Sequence, residues 1–444
     1  MLKKISLIAI LLLCVLNVGA QNVQNDSMCI SKARQLLLAL NNGNYDIAAR
    51  YFDETVSNQA SPAILKNAWS QLFGKIGNIQ SVGKPRIEKI NSSITVYIPC
   101  VFDDATLDLK VSFSYQDKVL GFTFVGHVAS GDYHFPQYAD TSMVTEKDII
   151  VESGKYKLPG KYVYPRNHIG LIPIVVLVHG SGPNDMDETI SNNKLFKDLA
   201  YGLAKSGIGV IRYEKRTKVY ASQFYGATDM TLEQETIIDV ISAARLACKL
   251  PFADSNRIFI IGYSLGAMAA PLIAGQADGY IRGVVMLAAP ARPLEDVILE
   301  QSSYLYSLIP SEKSKIELEK LKNEVEMVHS GNFSPKTPSS QLPLGLSANY
   351  WLFLHQYHQT ETAHKLKIPI LILQGERDYQ VSMEDFNLWQ KALTNNKNAR
   401  FKSYPKLNHL FMEGEGKSVP AEYDTPGHVA EYVIDDIARW VRGN

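Results

Sequence analysis

Gly262-Tyr263-Ser264-Leu265-Gly266 places a serine between two glycines, directly after an apolar run at residues 257–261 and directly before the small-residue stretch Ala267-Met268-Ala269-Ala270. A tight strand-to-helix turn needs glycines at those positions because the backbone passes close to its neighbours, and the turn lifts the serine hydroxyl above the sheet. The bare pentapeptide is a weak signal; a strand before it and a helix after it make it a candidate nucleophile elbow. A serine hydroxyl is a poor nucleophile on its own and needs a base within hydrogen-bond reach, with a third group to hold that base in the right tautomer. Gln374-Gly375-Glu376-Arg377-Asp378 ends an apolar run at residues 368–373, and Leu407-Asn408-His409 follows the next expected strand, residues 400–404. Ser264 as nucleophile, Asp378 as orienting acid and His409 as base fall in the chain order serine, acid, histidine. Glu376, two positions before Asp378, is the rival acid. Among ten histidines His428 is the rival base, but it is expected to open the last helix and point along it.

Acyl transfer also needs fixed N–H donors where negative charge develops on the carbonyl oxygen, each worth ~3 to 4 kcal/mol. His179-Gly180-Ser181-Gly182-Pro183 follows the apolar run 174–178. The backbone N–H of Ser181, paired with that of Leu265, is the expected oxyanion hole. The glycine-rich turn lacks the G-K-[ST] ending of a phosphate loop, and Gly207-Ile208-Gly209 is too little for a dinucleotide fingerprint. Neither H-E-x-x-H nor a clustered ligand set is present, so the chemistry calls for no metal and no organic cofactor.

Elements that alternate between β-branched runs and amphipathic stretches are what would carry these loops. Beyond residue 171, strands are expected at 174–178, 209–212, 257–261, 283–287, 368–373 and 400–404, and helices at 195–205, 233–249, 384–393 and 428–441. Such alternation implies an α/β domain, residues 146–444, with parallel pairing and both sheet faces covered. Right-handed crossovers then bring the loops that follow the strands to one sheet edge, where open α/β sheets place their sites. The interval 290–367 lacks a clear strand. Leu318, Leu321, Val325 and Val328 share a helix face there, Ser314 and Glu317 are spaced for a capping box, and Pro335, Pro338 and Pro343 break up the remainder of the interval. This reads as an inserted helical cap.

Ahead of that domain, residues 26–128 pass from helices, with Ala33, Leu36, Leu37 and Leu40 at helical spacing, to strands of period-two alternation at 94–98, 107–113 and 119–125. They predict a small α+β domain, whose pattern resembles the cone-shaped domains related to nuclear transport factor 2. Polar residues 129–145 read as a linker.

The first twenty residues put Lys3 and Lys4 before an apolar run and end on Val18-Gly19-Ala20, the features of a secretory signal peptide. The run is shorter than the ~20 apolar residues of a membrane span, and bulky leucines before Cys14 disfavour a lipid anchor there. A periplasmic or extracellular location is expected, with no membrane span in the mature chain. Cleavage would lower the formal charge from zero to −2, which attracts neither nucleic acid nor anionic lipid. Cys29, Cys100 and Cys248 would remain; Cys29 and Cys100 either bridge in an oxidising compartment or stay as two buried thiols.

HGSGPND, Arg212-Tyr213-Glu214-Lys215-Arg216, GYSLG, LILQGERDYQV and the LNHLF segment together resemble a family of bacterial esterases related to the serine aminopeptidase-like α/β-hydrolases, in which a small N-terminal domain precedes the catalytic one. The resemblance covers most of residues 145–444. It implies an α/β-hydrolase fold, carboxylesterase action on short acyl esters, and Ser264, Asp378 and His409 as nucleophile, acid and base. Family members often carry glycine after the Lys-Arg pair, where this chain has Thr217. A small-molecule ester is thus the expected partner. A peptidase or amidase is the alternative, because the same triad cleaves amides, and a catalytically silent binding protein is the third reading. Tyr304, Tyr306, Tyr350, Trp351, Phe353, Tyr357 and His358 supply the cap with aromatic surface, for a pocket or for its own core. Residue types alone leave the natural substrate and the oligomeric state open.

Overall fold

The computed structural model describes residues 26–443 apart from 91–92, 104, 115, 127–132, 225–226 and 309. The expected signal peptide, residues 1–20, lies outside them, as does part of the expected linker. Contacts divide the chain into two compact units, residues 1–130 and 131–444.

In the first unit, helices Asp26–Asn41 and Pro62–Ile76 pack on a five-stranded antiparallel sheet. Alternate residues of strand Ser93–Phe102 (Ile94, Val96, Ile98, Cys100 and Phe102) face a core shared with Ala33, Leu36, Leu37 and Leu40, so period two on the sheet meets the helical stripe. Cys29 and Cys100 are both buried free thiols. Burial pushes each up to about 12, which makes both thiols inert.

The second unit is built on one eight-stranded sheet. Its strands are β1 Val144–Ser153, β2 Tyr156–Pro165, β3 Ile172–Val178, β4 Gly209–Tyr213, β5 Ala253–Tyr263, β6 Gly283–Leu287, β7 Ile370–Gly375 and β8 Ala399–Tyr404. They lie in the order β1-β2-β4-β3-β5-β6-β7-β8. Pairing is parallel from β4 to β8, while β2 runs antiparallel to both of its neighbours. All residues of β3, β4, β6 and β7 are buried, as strands covered on both faces must be. Within β3, Ile174, Val176 and Val178 feed one core with helices Ile238–Ala247 and Leu265–Gln276. Val175 and Leu177 feed the opposite core with helices Leu195–Lys205 and Glu431–Arg442. The architecture is an α/β-hydrolase sheet.

Several elements differ from the sequence expectation. Strands β1 and β2 fall outside the expected set: β1 is largely exposed, and β2 carries Pro159 and Gly160 in mid-strand, so neither shows a clean apolar run. The last helix begins at Glu431 rather than at residue 428. In the insertion, helix Glu312–His329 is capped by a reciprocal Ser311–Ser314 pair, not by Ser314 with Glu317. The insertion is tied down by Tyr357 Oη on the Met268 carbonyl (2.6 Å) and by Asn349 Nδ2 on the Thr228 carbonyl (2.8 Å). Trp351 and Tyr350 are almost wholly buried and Tyr357 nearly so, which assigns these three rings to packing rather than to a pocket wall.

Candidate active site

Three loops at the carboxyl edge of the sheet carry the expected residues, and two of them, Asp378 and His409, meet directly. Ser264 follows β5 with φ +54° and ψ −118°, a left-handed backbone setting that side chains rarely adopt. Close approach explains both glycines: a Cβ on Gly262 would lie 2.4 Å from the Gly266 carbonyl oxygen, and one on Gly266 2.4 Å from that of Val178 and 2.5 Å from that of His179. The elbow is therefore pressed against the start of the HGSGP loop. Ser264 N–H donates to the Leu287 carbonyl (2.9 Å), fixing the turn to β6. The serine side chain makes no cap hydrogen bond to the helix it precedes, and the residue is half-buried among fully buried neighbours. Its hydroxyl thus has no structural bond from the helix start to give up.

Asp378 and His409 are joined directly, Nδ1 to Oδ2 at 2.6 Å, with both residues buried. The carboxylate is saturated: Oδ1 accepts the backbone N–H of Gln380 (2.7 Å) and Val381 (3.1 Å), and Oδ2 also accepts Gln374 Nε2 (3.2 Å). With Oδ2 a pure acceptor, Nδ1 of His409 carries the proton and Nε2 keeps its lone pair, the tautomer a base requires. The His409 ring packs on Tyr263, centroids 4.9 Å apart, which sets it beside the residue before Ser264. Asn408 Oδ1 closes the base loop on the N–H groups of Leu410 (3.0 Å) and Met412 (3.1 Å). Arg377 ties the acid loop to this segment through the carbonyls of Gly416 (2.6 Å) and Glu415 (2.9 Å) and through Glu422 (2.6 Å).

The two rivals are placed elsewhere. Glu376 is exposed and accepts from Ser403 Oγ (2.8 Å). His428 lies against Asp198 (3.1 Å), edge-on to Tyr133. Thr217 sits within the short helix Arg216–Val219, a right-handed turn that places no demand for glycine on it.

Ser181 is exposed at the loop after β3, and Leu265 is the first residue of helix Leu265–Gln276. The N–H of a first helical residue has no partner within its helix and is free to meet an anion. Sequence reasoning did not find the buried polar cluster behind this loop. Glu188 Oε1 accepts the Gly180 N–H (3.2 Å) and Asn184 Nδ2 (2.6 Å), and Lys215 Nζ donates to the Gly180 carbonyl (2.7 Å) and to Glu235 (2.5 Å). Lys215 stood inside the RYEKR motif, so its presence was visible but its burial was not. Among the described residues no group of three or more His, Cys, Asp or Glu side chains is arranged to hold a metal ion, and no helix is long and apolar enough to cross a membrane.

Burial and the nearby Lys215 cation hold His179 down at about 3, so its ring stays neutral. Burial raises Glu188 from 4.5 to about 8. In this case the native state keeps a proton that the unfolded chain has lost, so stability falls as pH climbs from 4.5 through about 8 and is level beyond. Glu188→Gln keeps the acceptor for Gly180 and removes the ionisation. Its melting temperature at pH 9 is expected to exceed that of the wild type by about 3 °C or more, with the gap closing toward pH 5; scanning calorimetry across that range checks it.

The pattern of the family described as "Serine aminopeptidase, S33" matches residues 173–416, and that described as "Protein of unknown function (DUF3887)" matches residues 33–122. The chain is 38% identical over 409 residues to Esterase EstD of Thermotoga maritima, spanning 90% of this chain and 92% of that one. Among solved structures, Est1E from Butyrivibrio proteoclasticus is similar at 16% identity and TM-score 0.45, over 67% of this chain and 99% of its own. An acylaminoacyl peptidase of Pyrococcus horikoshii is similar at 14% identity and TM-score 0.43, over 76% of this chain and 53% of its own.

Proposed function

The chain belongs to the serine aminopeptidase S33 family of α/β-hydrolases, and we propose that it acts as a carboxylesterase on small, short-chain esters, with Ser264, His409 and Asp378 as its triad. The observation that carries the reading is the buried Asp378–His409 bond at the sheet edge that also bears the Ser264 elbow. His409 Nε2 takes the Ser264 proton as Oγ attacks the ester carbonyl. The Ser181 and Leu265 N–H groups receive the developing oxyanion, and His409 returns the proton to the departing alkoxide. Water then repeats the cycle on the acyl-serine. Esterase rather than peptidase action is favoured by the 38% identity to an esterase over nine-tenths of the chain. The signal-like residues 1–20 support export, with the enzyme acting in the periplasm or outside the cell.

The insertion at residues 290–367 is anchored to the helix that follows Ser264, so it limits what can reach the hydroxyl. Catalytic efficiency on p-nitrophenyl esters is expected to be highest for acyl chains up to ~8 carbons and to fall steeply beyond, as a closed pocket of ~300 to 1,000 Å³ would require. Aminoacyl p-nitroanilides run beside them should be poor substrates. A flat acyl profile, or preference for the anilides over every ester, would move the assignment to the peptidase alternative.

A further inference from the structure

The candidate oxyanion donor Ser181 belongs to the peptide that joins it to Gly180. Among the described residues no peptide bond is cis, and in a trans peptide the carbonyl and the N–H point in opposite directions. Whatever grips the Gly180 carbonyl therefore aims the Ser181 N–H. That grip comes from Lys215 Nζ at 2.7 Å, seconded by Asn184 Nδ2 at 3.3 Å, while the preceding N–H, that of Gly180, is consumed by Glu188. Lys215 is 2% exposed, so its ammonium is a charge held out of water directly behind the donor peptide. A cation on a carbonyl polarises the peptide and makes its N–H a stronger donor toward a developing anion.

The ammonium is itself built in. Glu235 receives it at 2.5 Å through Oε1, and Oε2 of the same carboxylate accepts Tyr350 Oη at 2.6 Å. Glu235 lies in the π-helical turn Glu233–Ile237, where three consecutive residues are buried, Glu235, Thr236 and Ile237; the wider turn carries the acid inward. Tyr350 belongs to helix Ala348–Gln356 of the insertion and is 1% exposed. A continuous chain of contacts thus runs from the insertion through Tyr350, Glu235 and Lys215 to the Gly180–Ser181 peptide.

We propose that Lys215 is a positioning residue for the oxyanion hole, aiming and polarising the Ser181 N–H, and that Glu235 and Tyr350 hold it so that the packing of the inserted helices sets the strength of the hole. The proposal rests on the serine-hydrolase reading of the site. Because Ser181 is needed in the transition state more than in the ground state, loss of Lys215 lowers kcat and leaves KM nearly unchanged.

The test uses the full-length enzyme with p-nitrophenyl butyrate as substrate and an alkyl trifluoromethyl ketone as tetrahedral mimic. Lys215→Met leaves Glu235 buried without its cation, a loss that can unfold the protein, so the paired variant Lys215→Met with Glu235→Gln removes both charges together. In the paired variant kcat should drop about 10- to 100-fold with KM within about threefold of wild type, and affinity for the trifluoromethyl ketone should weaken by the same factor. Lys215→Arg, which restores the charge, should recover part of the loss. Tyr350→Phe, a single hydroxyl deletion, should lower kcat about threefold or more, again without a matching change in KM. The idea is overturned if the paired variant, or Tyr350→Phe should the pair not fold, keeps wild-type kcat and ketone affinity. It is equally overturned if the whole loss lies in KM. Ser264→Ala in the same assay separates the two levels: an inactive Ser264→Ala beside a fully active Lys215 variant removes the proposal alone, whereas an active Ser264→Ala removes the underlying reading.

Discussion

Ser264→Ala is expected to lower kcat on p-nitrophenyl butyrate by about 10⁴-fold or more while leaving the melting temperature within about 1 °C of wild type. The two halves of that expectation have separate grounds. Oγ is the only atom lost, and no other side chain at the elbow can replace it as a nucleophile. Stability should be nearly untouched because the hydroxyl makes no cap bond to helix Leu265–Gln276, and because alanine keeps the Cβ that the φ of +54° already accommodates. Steady-state kinetics and calorimetry on the same preparation check both. A folded variant retaining more than a hundredth of the activity would take Ser264 out of the mechanism.

Asp378→Asn is expected to cost about 10⁴-fold in kcat near neutral pH, and the hydrogen bonds say why. The backbone N–H groups of Gln380 and Val381 hold the amide oxygen at the place of Oδ1, so the new NH₂ takes the place of Oδ2. There it meets two groups that donate today, His409 Nδ1 and Gln374 Nε2. His409 must then accept through Nδ1 and carry its proton on Nε2, which disables it as a base. Gln374 Nε2 keeps the carbonyls of Val381 (2.9 Å) and Gly375 (3.1 Å) as acceptors, so no buried donor is stranded and the melting temperature should fall by only about 2–4 °C, the worth of roughly 1 kcal/mol. A variant with near-wild-type kcat would assign the orienting role to another residue.

Ser264 and Asp378 were legible as candidates because each stands just after an apolar run and a glycine, whereas His409 follows strand β8 with no glycine and rested on its place in the chain order. Gly262, Gly266 and Gly375 mark the loops of the first two, and each proves to be a point where a Cβ would meet backbone within 2.4 Å. The sheet core was legible for the same reason, since wholly buried strands such as β3 read as unbroken apolar runs. Elements that lean on tertiary context were not. Strand β1 owes its existence to pairing along the whole of β2 rather than to its own pattern, and the π-helical turn at Glu233–Ile237 has no distinct periodicity. Lys215 and Glu235 could not be placed from sequence, because a charge in an amphipathic stretch reads as solvated, and only the fold buries both and brings Lys215 to the Gly180 carbonyl. The tyrosines and tryptophan of the insertion were open between pocket and core on composition; the burial of Trp351 and Tyr350 decides for packing, so alanine at these positions should act on stability before specificity.

The central claim is that one serine, Ser264, becomes covalently acylated during turnover, and a fluorophosphonate tests it most directly by trapping that nucleophile. The wild-type enzyme, treated to complete inactivation, digested and mapped by mass spectrometry, should carry a single phosphonate on the peptide containing Ser264, and Ser264→Ala should take up none. A phosphonate on any other residue of the inactivated enzyme, or full turnover after stoichiometric labelling of Ser264, would contradict the account.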